Sequence, residues 1–302
     1  MRPDWPVRAM EDLFSHVTWA KVWERERQRS VIARTQVDFP ERWARFYDRV
    51  GMLWGKLAGD AQGTAQRVCD LAFQLQIVSA GQWIVDVGCG PGHLALAFAE
   101  RGCHVKAIDA SPAMIEALKS MAQDRGVEWI ETQCEAWENL EVRRNYHVAV
   151  AAFFPPAFSP EGLRRLEGFA RQSCVILGGS SPEGLPCKQA LWRQLMGDNA
   201  PHPGRSLLLA VNTLWAMGRL PNVYHLQWPW AFDEEEDTVR AFYTEYFSIF
   251  GVSPQETERV LDDCLSPFRV NRRIKMHTEV RIGLLWWSVK NRTHERNPFM
   301  AR

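Results

Sequence analysis

Apolar positions in the first 80 residues recur at three- and four-residue spacing. In "FPERWARFYDRVGMLWGKLAG" (39–59), Trp43, Phe46, Tyr47, Val50 and Trp54 fall on one helical face. The pattern predicts helices over 11–36 and 40–79, with Pro40 suited to a helix start. Beyond Gly81 the period changes. "WIVDVG" (83–88), "HVKAID" (104–109), "VEWIET" (127–132), "YHVAVAAF" (146–153) and "SCVILGG" (173–179) are short, β-branched runs. Between them, "HLALAFAERG", "PAMIEALKSMAQDRG" and "PEGLRRLEGFARQ" follow the helical period. Strand and helix in regular alternation predict a mostly parallel sheet covered on both faces.

The alternation stops after Gly179. "SSPEGLP" (180–186) reads as a loop, and 187–198 and 204–219 read as helices. Their apolar faces carry Leu191, Trp192 and Leu195, then Leu207, Val211, Leu214 and Trp215. "NVYHLQWPWAF" (222–232) resumes as a strand, and its proline places it at an edge. "DEEEDTVRAFYTEYFSIFG" begins with acids and ends with glycine, the polarity of a helix. A short helix over 254–265 and a strand over 278–290 complete the pattern. The chain thus divides into an N-terminal helical segment (1–80), a core (81–179), a helical insert (180–221) and the remainder of the sheet with a polar tail (222–302). The insert leaves the sheet near the carboxyl ends of its strands, where open α/β sheets bind ligands, so it is expected to act as a lid.

Composition narrows the classes. Lys and Arg number 36, Asp and Glu 36, and the formal net charge is zero. A general nucleic-acid binder carries a basic surplus, so nucleic acid is not an expected partner, although a local basic face stays open. Seven cysteines without a CxxC pair suggest reduced thiols, with no disulfide framework and no metal site. The N-terminus lacks an apolar segment of signal-peptide length, and the longest apolar run, "LLLAVNTLWAMG", is too short to span a bilayer. The expected location is cytoplasmic, with no membrane partner.

The chemistry concentrates in Asp86-Val87-Gly88-Cys89-Gly90-Pro91-Gly92. A dinucleotide fingerprint needs its third glycine at position 93, which is histidine. Pro91 removes an amide where a pyrophosphate would dock, and Asp86 suits a cationic ligand. Asp109, ending the next strand, can accept from both hydroxyls of a ribose. These residues resemble the first motif of class I S-adenosylmethionine-dependent methyltransferases, especially the small-molecule branch.

The resemblance implies a Rossmann-like sheet of seven mostly parallel strands, the last antiparallel, preceded by helices and carrying a helical lid insert. It implies S-adenosylmethionine as cofactor. Gly88, Cys89 and Gly90 would let the backbone approach the cofactor, with Asp86 near its amino-acid end. Asp109 and Ala110 would lie at the ribose. Met114, from "DASPAM", would flank the adenine, as would Glu135, Ala136 and Trp137. Tyr47, with Trp43 and Trp54 on the preceding helix, would either pack on the domain or present an aromatic face to the sulfonium.

The expected function is methyl transfer to a small-molecule acceptor. Methylation of protein or RNA, or cofactor binding without catalysis, are the alternatives. Phe154-Pro155-Pro156-Ala157 lacks the amide or carboxylate of adenine- and amide-methylating enzymes. No catalytic residue is singled out. Tyr224, His225, Tyr243, Tyr246 and His202 lie in segments expected to cap the site, although packing or surface roles are commoner for such residues. Trp192, Trp215, Trp228 and Trp230 either line the insert's underside or bury it. Arg269, Arg272, Arg273, Lys275 and Arg281 form either a solvated connector or a carboxylate site. Oligomeric state is open.

Overall fold

The computed structural model describes residues 15–57, 60–179, 187–197 and 205–289. Four helices come first: α1 (His16–Arg29), α2 (Val31–Asp38), α3 (Pro40–Leu57) and α4 (Ala61–Gln74). The helix expected over 11–36 is thus two helices within the described residues. Ser30 divides them. Its backbone is extended, its N–H closes α1 on Glu26 and Arg27, and its Oγ accepts from Ala33 N at 3.3 Å to start α2. A serine can serve both ends because it satisfies an orphan donor of the new helix. Asp60 does the same for α4, accepting from Gly63 N at 3.1 Å.

The sheet has eight strands in the order β3-β2-β1-β4-β5-β8-β6, with a short β7 paired to β8. Strands β1 (Trp83–Val87), β2 (His104–Asp109), β3 (Ile130–Cys134), β4 (Tyr146–Ala152) and β5 (Ala170–Gly179) are parallel. Strand β8 (Arg273–Ser288) runs antiparallel between β5 and the edge strand β6 (Asn222–Glu235). The seven expected strands are all present, and the eighth is the two-residue β7 (Arg269–Val270). Intervening helices are α5 (His93–Glu100), α6 (Pro112–Arg125), α7 (Pro160–Phe169), α8 (Lys188–Met196), α9 (Arg205–Ala216), α10 (Glu236–Ser248) and α11 (Pro254–Leu265).

Strands β6 and β8 run further than their apolar runs indicate. Asp233 to Glu235, expected to open a helix, instead pair with Lys275 to Arg273 on β8. Asp233 forms ion pairs with both Arg273 and Lys275. Cross-strand charge pairs hold one face of this extension, and Ile274 of β8 buries the other in the third core cluster, so the acidic run of β6 carries no apolar period of its own to mark it as a strand.

Neighbouring β1 side chains enter opposite layers. Ile84 joins Val68 of α4 with Ala95 and Phe98 of α5 on one face, and Val85 joins Leu163 and Leu166 of α7 on the other. Burying each such large side chain contributes about 1.5–3 kcal/mol. A third cluster gathers Trp43 and Phe46 of α3, Trp192 of α8, Phe242 and Phe247 of α10, and Leu261 of α11. The insert is tied to the body by polar contacts too. Trp23 of α1 donates to Thr213 of α9 at 2.9 Å. Just past α9, Arg219 donates to Glu167 of α7 at 2.7 Å, and Trp287 of β8 donates to the same carboxylate at 2.8 Å. No described helix is long and apolar enough to cross a membrane.

Candidate active site

The strand order reverses between β1 and β4, and open α/β sheets bind ligands at the carboxyl ends of the strands beside such a reversal. The glycine turn lies there. Gly88, Gly90 and Gly92 all have positive φ, at 66°, 54° and 84°. The space around them differs. A Cβ on Gly88 would stand 2.2 Å from the Phe154 ring, and one on Gly92 2.1 Å from Leu118. A Cβ on Gly90 would meet nothing within 4 Å. Gly88 and Gly92 are therefore required by the protein's own packing, whereas Gly90 leaves open space.

Asp109, ending β2, closes on that turn. Its Oδ2 accepts from Gly90 N at 2.8 Å and its Oδ1 from Ser111 N at 2.9 Å. Each oxygen keeps lone-pair capacity for another donor. Burial raises its pKa, opposed by the backbone amides. Asp48 of α3 reaches the same loop, accepting from Ser111 Oγ at 2.7 Å. Asp86 is only 1% exposed, and neither of its oxygens has a hydrogen-bond partner among the described residues. Burial, and then the charge of Asp109, push it up to about 7. His93, in the third-glycine position, has its pKa lowered by burial.

One cavity of about 1950 Å³ contains this turn. Its walls include Tyr47, Gly88, Cys89, Gly90, Asp109, Ala110, Met114, Glu135 and Trp137, so nine of the eleven expected cofactor residues share one space. Two do not line it. Asp86 is sealed inside β1 behind the turn. Ala136 is used by its backbone, its oxygen accepting from Asn139 N at 3.0 Å to start the 3-10 turn at Trp137. Tyr47 approaches Asp109 from α3: burial, and then the Asp109 charge, raise its phenol well above the ordinary value. Glu135 accepts from Gln133, while its N–H donates to Asp109 O at 3.0 Å. Trp43 also lines the cavity, and the Trp54 side chain lies outside what the structure describes.

The remaining walls were less legible in the sequence. The Pro-Pro loop contributes Phe153, Phe154, Pro155 and Pro156. Phe153 has φ 52°, a strained value for a bulky residue. From the insert come Lys188 of α8 with Ser206, Leu207 and Leu209 of α9, so both insert helices reach the cavity that holds Gly88 and Asp109. Tyr243 and Tyr246 of α10 complete it, as do Trp23 and Arg27 of α1. Neither Lys188 nor the α1 residues carry a motif; only the fold brings them here.

Other expectations meet different outcomes. Trp192, Trp215, Trp228 and Trp230 are not among the described residues lining the cavity. Trp192 is in the third core cluster, Trp215 is 64% exposed, Trp228 donates to Asp60 at 2.7 Å, and Trp230 packs on Phe232. Their positions therefore say nothing about an acceptor. Tyr224 and His225 are exposed on the edge strand, and His202 lies outside the described residues. The basic cluster is paired internally: Arg269 with Glu236, Arg272 with Asp237, Arg273 and Lys275 with Asp233, and Arg281 with Glu279.

Residues 84–171 match the family model described as "Methyltransferase domain". This segment is a methyltransferase domain. The matched segment of the domain runs from β1 into β5 and includes the glycine turn and Asp109. A ubiquinone biosynthesis O-methyltransferase from Xylella fastidiosa is 36% identical over 61 residues, 20% of this chain and 24% of its own. A cypemycin N-terminal methyltransferase from Streptomyces is 32% identical over 94 residues, 30% of this chain and 37% of its own. The chain thus spans about a third or less of the length of these curated relatives. A solved putative methyltransferase from Bacillus halodurans superimposes with TM-score 0.49 and 12% identity, over 73% of this chain and 98% of its own.

The methyltransferase domain's site fits its cofactor on structural grounds. Gly90 leaves open space, Asp109 offers two oxygens, and Asp86 is an orphaned carboxylate beneath the turn. Such a site suits a ligand that is cationic at one end and has a diol, and opposes a pyrophosphate.

Proposed function

We propose that the protein transfers a methyl group from S-adenosylmethionine to a small-molecule acceptor by in-line displacement. The observation that carries the proposal is the single cavity. Ligand pockets of about 300–1000 Å³ serve one drug-sized molecule. At about 1950 Å³, this one has room for cofactor and acceptor together. S-adenosylmethionine supplies an already activated methyl group on a sulfonium.

The chain's own residues position the reactants and exclude water. Asp109 accepts from the ribose hydroxyls and, held by Gly90 N and Ser111 N, needs no reorganisation to do so. Asp86 offsets positive charge from below the turn. Trp43 and Tyr47 present aromatic faces where a sulfonium gains about 0.5–2 kcal/mol. Met114, Glu135 and Trp137 flank the base. Helices α8 and α9 of the insert act as a lid, with Leu207 and Leu209 of α9 supplying its apolar underside. Positioning of this kind contributes about 7–11 kcal/mol to a two-substrate reaction, so the transfer needs no dedicated base unless the acceptor is itself protonated. Burial keeps the phenols of Tyr243 and Tyr246 protonated. They serve to orient an acceptor, not to deprotonate it.

The test uses S-adenosylmethionine labelled in its methyl group, incubated with the protein and a fractionated cell extract. Label should appear in the small-molecule fraction. Label confined to protein or RNA would reverse the assignment, and cofactor binding without any transfer would make the protein a binder.

A further inference from the structure

Phe153 directly follows β4 and lines the cavity. It is 48% exposed, and among the described residues no other aromatic side chain on the cavity wall is as open. Its ring belongs to none of the three core clusters and makes no ring contact among the described residues. Its φ of 52° is one that a bulky residue rarely adopts. Other residues with positive φ use it for the fold: Asp60 caps α4, and Asn271 and Arg272 connect β7 to β8. The adjacent Phe154 is also used for packing. Its ring fills the space over Gly88 and meets Trp137 edge-on at 5.6 Å.

The fold therefore holds a strained backbone at Phe153 and gains no core contact from the ring. Such a local rule, broken without a folding benefit, marks a functional position. The place in the sheet says which function. Strand β4 lies between β1 and β5, so its carboxyl end stands between Gly88, after β1, and Gly178, near the end of β5. Phe153 N donates to Leu177 O of β5 at 2.8 Å, which fixes the residue there. A Cβ on Gly178 would stand 3.2 Å from Phe158 and 3.3 Å from Leu207 of α9. Phe153 thus lies between the glycine turn and the part of the insert that carries Leu207. Leu177, Phe158 and Leu207 line the same cavity, and none of these side chains can hydrogen-bond.

We propose that Phe153 determines specificity: its ring is the platform on which a planar aromatic part of the methyl acceptor packs. A half-exposed ring without an aromatic partner of its own gains most from a second ring, because aromatic pairs add to what area burial gives. A saturated body of the same size supplies area alone. The backbone held at Leu177 sets the platform before the acceptor arrives, so binding does not have to order it. The proposal rests on the methyltransferase reading, which puts a methyl acceptor beside the cofactor at Gly88 and Asp109.

The test separates the two. S-adenosylhomocysteine is first titrated into wild type, Phe153→Leu and Phe153→Gly by calorimetry. Equal, measurable affinity in all of them leaves the cofactor site intact. No binding in wild type overturns the methyltransferase reading and this inference with it, whereas a loss in the variants alone places the ring at the cofactor and overturns this inference only. Phenol, benzyl alcohol and 2-naphthol, each against its saturated counterpart (cyclohexanol, cyclohexylmethanol and decahydro-2-naphthol), are then titrated into the S-adenosylhomocysteine-loaded proteins and followed by thermal shift. At least one aromatic alcohol should stabilise wild type more than its saturated counterpart does. Phe153→Leu should weaken that alcohol by about threefold to tenfold, the range of an aromatic pair, and Phe153→Tyr should retain it. Free Phe153→Gly should melt no lower than wild type, because glycine adopts this φ without strain and no core contact is lost. Equal stabilisation by aromatic and saturated alcohols, no response to any of them, an unchanged response in Phe153→Leu, or a lower melting temperature in free Phe153→Gly would each overturn the proposal.

Discussion

Replacing Asp86 by asparagine removes an ionisable group that the fold buries without a partner. Its unperturbed pKa is 3.8; in the fold, burial and then the charge of Asp109 raise it to about 7. The sign follows from linkage. A carboxylate with a raised folded value contributes most to stability below the unfolded value, and the contribution is lost as pH rises through the folded one. The gap of about three pH units, at about 1.4 kcal/mol each, amounts to about 4 kcal/mol in full. Between about pH 5 and about pH 8.5, roughly two of those units are crossed, so about 2–3 kcal/mol of the loss is visible. Urea unfolding of wild type and Asp86→Asn, without ligand, measures it. The difference between the two proteins isolates Asp86 from other titrating groups. It removes His93 in particular, whose lowered pKa costs stability in the opposite direction, as pH falls. The variant should gain on wild type by that amount as pH rises. Two parallel pH curves would refute the reasoning and show that Asp86 is solvated or paired. If a cationic ligand end lies above Asp86, binding should also favour its anion. S-adenosylmethionine should then bind wild type more tightly from about pH 6 to about pH 8, and the variant should lose that trend.

Asp109→Ala should weaken S-adenosylmethionine by about 1.5–3 kcal/mol in calorimetry, the scale of charge-assisted hydrogen bonds, and equal affinity would remove Asp109 from the ribose role. Gly90→Val should abolish cofactor binding while circular dichroism shows the sheet retained, because its Cβ meets no neighbour and the strain of a β-branched residue at φ 54° falls on the turn alone; normal binding would mean that the turn does not approach the ligand. Glu167→Ala should cost about 1–3 kcal/mol in urea unfolding, because it leaves the buried Trp287 indole without its acceptor and removes the carboxylate that Arg219 donates to. A cost under about 1 kcal/mol would show that water replaces the carboxylate.

The sequence by itself determined the sheet, the glycine turn and the end of the cavity where that turn meets Asp109. These are local facts. The period of apolar residues distinguishes strand from helix, and Asp86 through Gly92 with Asp109 lie on consecutive elements joined by one βαβ unit, so their meeting is fixed by that unit's geometry. Tyr47 was also legible, because the aromatic face of α3 repeats every three or four residues. What only the tertiary structure decided involves long-range pairing. Asp233 to Glu235 look like a helix start until Arg273 and Lys275, about 40 residues later, draw them into a strand. The tryptophans of the insert look alike in sequence, yet Trp192 is buried among the helices while Trp215 faces solvent. No motif marks Phe153. Its distinction is that the fold sets it at φ 52° on the cavity wall, and that conformation is a property of the folded surroundings that no residue pattern records.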